Sequence, residues 1–447
     1  MKTISFVTLG CDKNRVDSEV VLGKLFARGY TAVESPEKAD WIILNTCAFQ
    51  DEACAESRGW IEKISAIRRS SPHKRVLVIG CYPQRFHTAA SREFPFVDFW
   101  IGINDFPRIV EIIEQDHPGI WVDSPPFLYN ERTERVLSTP EHYAYVKIAE
   151  GCANRCTFCI IPRIRGPLRS RTIESVVGEV KNLCNRGIRE IILLAQDLGA
   201  YGLDRYARRF LPDLLLSLGR VMPRDRWLRL LYLSPESLDD RLIATMATVP
   251  QVVPFLDIPL QHADPGILRR MGRFDNPVEI RDRIIRARKA LPGLVVRTTF
   301  LLGFPGEDDA AFQSLLDFVT VLRFERLGAF CYSEQAEAPS AALLPKVPPG
   351  VARERYRLLL ETQHQLMEEY HQSLVGKTLS VILDSARLRR TRNRRSRVLT
   401  GRTYGDAPEV DCRVMVDSRG RTELRPGAVV PVTITRGGRF ELAGVIS

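Results

Sequence analysis

Nowhere in the 447 residues does an apolar run approach the roughly 18 residues that a membrane-spanning helix needs. Met1–Arg15 lacks the long apolar segment of a secretion signal, so a cytoplasmic, membrane-free protein is expected. No collagen-like or solenoid repeat is present. With 45% apolar and 26% charged residues, the chain has neither the composition of a disordered protein nor that of a small disulfide scaffold. Its length instead suggests about three domains of ~150 residues, each with its own core. No signal for oligomerisation is visible, and a monomer is expected. Disulfides are not expected in a reducing compartment. The ten cysteines are therefore read as metal ligands, catalytic groups or small buried side chains.

What is present is unevenly spread. The formal net charge is +10, but residues 376–447 alone hold 15 Lys and Arg against 7 Asp and Glu. The remainder of the chain is close to neutral. A basic C-terminal module on a neutral, enzyme-sized body points to a polyanion such as nucleic acid.

The apolar pattern divides the chain. Over residues 1–117, Ile4–Leu9, Trp41–Leu44, Arg75–Ile79 and Phe99–Ile103 read as strands separated by helices, the pattern of a parallel sheet covered on both faces. A Pro-rich link over 118–142 precedes residues 143–334. There the strands Tyr143–Ala149, Glu190–Ala195, Leu228–Leu233, Val253–Pro259, Val295–Leu301 and Arg326–Tyr332 fit a partial or complete β/α barrel. A Pro-rich stretch and a long helix occupy 335–375. Five short strands over 376–447 suggest a small barrel of oligonucleotide-binding type.

Cys152, Cys156 and Cys159 form a C-x3-C-x2-C run directly after a candidate barrel strand. Zinc sites usually pair C-x2-C elements with a distant second pair. Three close thiols can instead hold three irons of a [4Fe–4S] cluster and leave the fourth open to a small molecule, the signature spacing of radical S-adenosylmethionine (SAM) chemistry. Cys11, Cys47 and Cys81 are far apart in sequence, yet each follows a candidate parallel strand at its carboxyl end, where ligands gather in open α/β sheets. Two readings stand for them: a second three-cysteine cluster site, or small buried residues in tight turns. Cys54, Cys184, Cys331 and Cys412 have no partner at ligand spacing and read as buried small hydrophobes.

These features together resemble the radical SAM methylthiotransferases over essentially the whole chain. Within that family, Gly10–Glu19, Gly151–Arg171, Ala195–Asp197, Asp257–His262 and Gly401–Glu409 are similar to the branch that modifies the β-carbon of an aspartate in ribosomal protein S-12. The alternative is the branch that methylthiolates a tRNA adenosine. The resemblance implies an N-terminal methylthiotransferase domain, a central radical SAM partial β/α barrel and a C-terminal TRAM barrel. It further implies two [4Fe–4S] clusters, on Cys152, Cys156 and Cys159 and on Cys11, Cys47 and Cys81. SAM would meet the first cluster near Gln196, Asp197, Gly303 and Gly306. Its reductive cleavage would yield the radical that abstracts a substrate hydrogen, and the second cluster would carry the sulfur. The expected partners are S-12 or the small ribosomal subunit, RNA at the TRAM barrel, and an unidentified electron donor.

Two departures from the family pattern are present. Asp12 stands where a proline is usual. A run from Arg387 to Arg397 places seven arginines (Arg387, Arg389, Arg390, Arg392, Arg394, Arg395 and Arg397) in the third module, as a solvated loop or as a contact to RNA phosphates. Likewise Arg163, Arg165, Arg169 and Arg171 could orient a substrate carboxylate or form a solvated loop. The loop Leu302–Glu307 could admit SAM to its backbone or simply turn the chain from strand to helix. His262 reads as a site residue or a satisfied structural histidine.

Overall fold

The computed structural model of the chain describes residues 2–124, 126–391, 394–421 and 423–447, and of 387–391 and 394–398 the backbone alone. The first unit is a six-stranded parallel sheet of β1 (Thr3–Thr8), β2 (Thr31–Ala32), β3 (Trp41–Thr46), β4 (Arg75–Gly80), β5 (Phe99–Ile101) and β6 (Gly119–Trp121), in the order β2-β1-β3-β4-β5-β6. β3 is buried at every position and β4 at all but its first, as continuous apolar strands with helices on both faces must be. β6 pairs with β5 and so carries this sheet past residue 117, into the segment read from sequence as a link.

The second unit begins with β7 (Tyr143–Lys147), followed by a short antiparallel pair, β8 (Ala149–Glu150) with β9 (Arg169–Ser170), that closes the base of the cysteine loop. Then come β10 (Glu190–Leu194), β11 (Trp227–Leu230), β12 (Phe255–Asp257), β13 (Val295–Leu302) and β14 (Arg326–Cys331). They form two three-stranded parallel sheets, β11-β10-β7 and β12-β13-β14, joined through a bridge between Leu228 and Val252. Pro254 and Pro259 bracket β12 and cannot donate to a ladder, which explains why the shortest of these six strands lies at the seam. The partial barrel expected from sequence is therefore split.

Its concave face is filled by other parts of the chain. Val16 and Val20, on the helix Asp12–Ala27, pack with Tyr145, Ile192, Leu194 and Phe255 of the barrel and with Ala407 of the third unit. Cys11 caps that helix and is thereby carried to the mouth of the barrel. The helix Pro349–Ser373 leads into a closed barrel of β15 (Thr378–Thr391), β16 (Arg394–Thr403), β17 (Arg413–Asp417), β18 (Val429–Gly437) and β19 (Glu441–Ile446). The backbone of the arginine run extends β15 and β16 as a hairpin, with Arg387 opposite Val398 and Thr391 opposite Arg394, rather than a loop. Arg392 and Asn393, and the side chains of the whole run, lie outside the described residues. Among the described residues no helix is long and apolar enough to cross a membrane.

Candidate functional site

The loops after β1, β3 and β4 converge because three small or polar residues bind them together. Asn14 donates from Nδ2 to the carbonyls of Leu9 and Thr46, both at 3.0 Å. Asn45 donates to the carbonyl of Asn14 at 2.9 Å, and Thr46 Oγ1 to that of Ile79 at 2.7 Å. Gly10, at φ +83°, permits the closest approach: a Cβ there would lie 2.7 Å from Cys47 Cβ. Cys11, Cys47 and Cys81 thus meet at one edge of the sheet.

The second triad sits on the loop between β8 and β9. Gly151, at φ +75°, has no room for a Cβ against the Pro167 carbonyl. Backbone N–H groups of Asn154 and Ile161 donate to the sulfurs of Cys152 and Cys159, each at 3.4 Å. All six cysteines line one cavity of about 430 Å³. Burial pushes the thiols up, Cys47 and Cys152 to about 11 and Cys81 and Cys159 to about 12. Such groups become thiolates only beside strong positive charge, which bound iron supplies while releasing their protons. Among the described residues no three His, Cys, Asp or Glu side chains are close enough to hold a single ion. The donor set fits soft, thiolate-bound iron clusters.

A buried charge network joins the two triads. Arg165 Nη2 donates to Cys81 Sγ at 3.4 Å and to Asn14 Oδ1 at 2.5 Å, while Nη1 donates to Asp17 Oδ2 at 2.9 Å and Glu150 Oε1 at 3.1 Å. Lys147 Nζ bonds Asp17 and Glu150 from the other side, each at 2.5 Å. Gln196 donates to Glu150 Oε1 at 2.5 Å, and its own Oε1 is buried without a partner at the cavity wall. An orphan acceptor there suits a ligand that brings a donor, such as an ammonium group.

The other expected residues divide. Asp197 lines the cavity, but its carboxylate is occupied: Oδ1 accepts from the Gly199 and Ser234 backbone and Oδ2 from Asn154 Nδ2 at 2.9 Å. It fastens the cysteine loop. Gly303 and Gly306 are not at the cavity. A Cβ on Gly303 would strike Ala352 and one on Gly306 would strike Arg270, while Gly303 N–H donates to Glu307. That loop is a strand-to-helix turn braced by Arg355, which bonds Glu307 Oε1 at 2.8 Å. His262 is buried beside the same glutamate, 3.5 Å from its Oε2.

Of the four arginines read as candidates for a substrate carboxylate, three are otherwise engaged. Arg165 is committed to the network just described. Arg169 bonds the carbonyls of Pro167 and Arg165. Arg171 is buried against Glu179 at 2.5 Å and the Ser175 hydroxyl at 2.9 Å. Only Arg163 is exposed. Of the four cysteines read as structural, Cys184 is buried in the barrel core and Cys54 packs against the N-terminal core.

Sequence reading missed Lys13, Asp17, Lys147, Tyr232 and Arg273. A signal for the first two was present. Lys13, Asn14, Asp17, Ser18 and Glu19 are polar residues on the first turns of one helix, and every one of them is buried. Polar residues crowded onto a buried helix face must find polar partners on whatever packs there.

The comparisons with known proteins follow this division of the chain. Residues 146–319 match the radical SAM superfamily, residues 3–102 the uncharacterized protein family UPF0004 and residues 375–446 the TRAM domain. A solved structure of TsrM from Kitasatospora setae, a radical S-adenosylmethionine methyltransferase, shares the fold with a TM-score of 0.58 at 15% identity, over 82% of this chain and 89% of that one. OxsB, a cobalamin-dependent S-adenosylmethionine radical enzyme, matches with a TM-score of 0.51 at 14% identity, over 83% of this chain and 56% of that one. The fold and site are those of a radical SAM enzyme. Relatives matched over essentially their full length carry the name ribosomal protein uS12 methylthiotransferase RimO. That of Desulfitobacterium hafniense is 39% identical over 100% of this chain and 98% of its own length, and that of Heliobacterium modesticaldum is 40% identical over 99% and 94%. The chain belongs to the RimO family of radical SAM methylthiotransferases.

Proposed function

We propose that this chain adds a methylthio group to the β-carbon of an aspartate in ribosomal protein uS12, with SAM and two [4Fe–4S] clusters as cofactors. One observation carries the two-cluster reading: both cysteine triads line a single cavity. Bound there, the clusters and SAM supply the radical cleavage of an unactivated C–H bond and the sulfur that replaces the hydrogen.

The protein's own residues do the rest. Cys152, Cys156 and Cys159 hold the SAM-binding cluster, and Cys11, Cys47 and Cys81 the second. Gln196 offers its free carbonyl to SAM. Glu150, Lys147, Asp17 and Arg165 fix the two cluster loops relative to one another. Phe49, Phe158, Leu233 and Phe330 give the cavity apolar walls. The TRAM barrel supplies contact to RNA, which fits a substrate in the small ribosomal subunit, and an electron donor delivers the reducing equivalents. The protein works in the cytoplasm as a monomer.

Mass mapping of uS12 from a strain lacking this chain tests the substrate. The methylthio-aspartate should be absent and should return on complementation. Its persistence would refute the assignment, and loss of a methylthio-adenosine from tRNA would transfer it to the tRNA reading.

A further inference from the structure

Three cations line the cavity. Arg165 is paired with Asp17 and Glu150, and Arg273 with Asp275 at 2.9 Å. Lys13 differs. Although only 8% exposed, its ammonium makes no hydrogen bond or ion pair among the described residues. The ammonium lies over the ring of Tyr232, 3.0 Å from Nζ to the centroid. The cavity's carboxylate, Asp197, has both oxygens occupied. Asp12 and Asp257 act on it from behind Tyr232 without bonding it, so a buried cation facing a cavity, with an aromatic face and no carboxylate in direct contact, is half of a binding site.

The support beneath it is built at a cost. Tyr232 holds φ +66° and Gln261, also on the cavity wall, φ +72°, conformations rare for residues with large side chains. Tyr232 is held there by Asp257, whose Oδ2 accepts its backbone N–H at 2.9 Å and whose Oδ1 accepts from Arg297 at 3.0 Å. Its hydroxyl donates to Asp12 at 3.2 Å. Strain that the surroundings impose this thoroughly, at two neighbouring places on one wall, marks a surface shaped for a ligand.

We propose that Lys13 recognises the side-chain carboxylate of the residue being modified, and that Tyr232 is the positioning residue that holds the ammonium in place. This rests on the aspartyl substrate proposed above. It gives the site a way to reject asparagine, which has the same shape: an amide would leave a buried ammonium without a charged partner in contact. Two other roles are open to a cation in this place, as a counter-charge to the neighbouring cluster or as a contact for the carboxylate of SAM. Each predicts a different measurement.

The reconstituted holoenzyme is titrated with uS12 and with uS12 whose target aspartate is replaced by asparagine. The unaltered enzyme should prefer the aspartyl form by roughly 10- to 100-fold, the range for hydrogen bonds to a charged group. Lys13→Met and Lys13→Gln should bring that ratio close to one with iron and sulfide content retained, and Lys13→Arg should restore part of it. Tyr232→Leu should weaken the preference while Tyr232→Phe keeps it. The idea is overturned if the unaltered enzyme does not discriminate, a result that needs no variant to fold. It is overturned as well if the Lys13 variants keep the ratio, if the ratio falls only together with lost iron, or if SAM affinity falls instead. Absence of methylthiolation of uS12 by the unaltered enzyme would fail the proposed function itself, and is read separately.

Discussion

Arg165 stands six residues after the last cysteine of the barrel loop, yet its guanidinium donates to the sulfur of Cys81, a ligand candidate of the other triad, at 3.4 Å. The remaining bonds of the same side chain go to Asn14, Asp17 and Glu150. One residue of the barrel's cysteine loop is therefore tied to the N-terminal triad and to the helix beneath it. Removing it leaves two carboxylates buried with Lys147 as their remaining cation. Arg165→Leu should cost about 3–5 kcal/mol of stability, read from denaturant unfolding. Lys in its place should rescue little, because a single ammonium cannot reach Asp17, Glu150 and Asn14 together.

The cysteines make a prediction in iron. Anaerobic reconstitution should load about eight irons per chain, two clusters of four. Replacing Cys11, Cys47 and Cys81 together with Ala should lower the content to about four irons, and so should replacing Cys152, Cys156 and Cys159. A content near four in the unaltered protein would remove the second cluster. Substitution of Cys184, packed in the barrel core, should leave the iron content as it is.

Gly10 offers a test of how the N-terminal triad is assembled. Ala at this position meets two penalties, a positive φ and a Cβ 2.7 Å from that of Cys47. Gly10→Ala should cost about 1–3 kcal/mol. Because the displaced neighbour is a proposed ligand, iron bound to the N-terminal unit should fall as well. Ala at Gly29, which also has a positive φ but no atom within 4 Å, serves as a control for backbone strain alone and should keep its iron.

The parts of this molecule that were legible in its sequence are the periodic and the local ones. β3 and β4 are continuous apolar runs, and Cys152–Cys159 is a single motif. Even the dispersed Cys11, Cys47 and Cys81 could be placed, because parallel strands bring their carboxyl ends together whatever the spacing. Side-chain pairing was not legible. Arg165 meets Asp17 across 148 residues, and no local pattern tells which of four neighbouring arginines turns inward. Arg171 faces Glu179 instead. The glycines of the Leu302–Glu307 loop show the same limit: a glycine records that something comes close, and Ala352 and Arg270 both do here.

Docking of the TRAM barrel should depend on pH through Glu190. Burial disfavours its charge, but the guanidinium groups of Arg402 from the TRAM barrel and Arg229 from the radical SAM unit outweigh that and hold its pKa below the ordinary 4.5. The unfolded chain takes up this proton first as pH falls. The stabilisation is therefore complete above about pH 4.5 and is lost on acidification toward the folded-state pKa. Glu190→Gln should be destabilised near pH 7, where it leaves the buried Arg229 guanidinium without its counter-charge and Arg402 with Asp384 alone. The gap from the unaltered protein should narrow as the pH is lowered below 4.5. Denaturant unfolding at a series of pH values reads this directly, and a constant gap would show that Glu190 acts by shape alone.

The arginine run makes the last prediction, and it follows from where the charge lies. Residues 376–447 carry an excess of +8 out of the chain's +10, and seven arginines are concentrated in the run Arg387–Arg397, whose described backbone pairs as a hairpin. The buried arginines of the body already have acidic partners, so they add little to long-range attraction. If RNA phosphates are the partner, every phosphate that an arginine no longer neutralises should reduce the slope of log affinity against log salt by about 0.7–0.9. Replacing the seven with Gln should then flatten the salt dependence of binding to the small ribosomal subunit, and weaken binding most at low salt. Methylthiolation of free uS12 should change little, because the hairpin belongs to a different unit from the cavity that holds the cysteines. A variant that binds the subunit with an unaltered slope would mark the run as solvated surface, and would move the RNA contact to another face of the TRAM barrel.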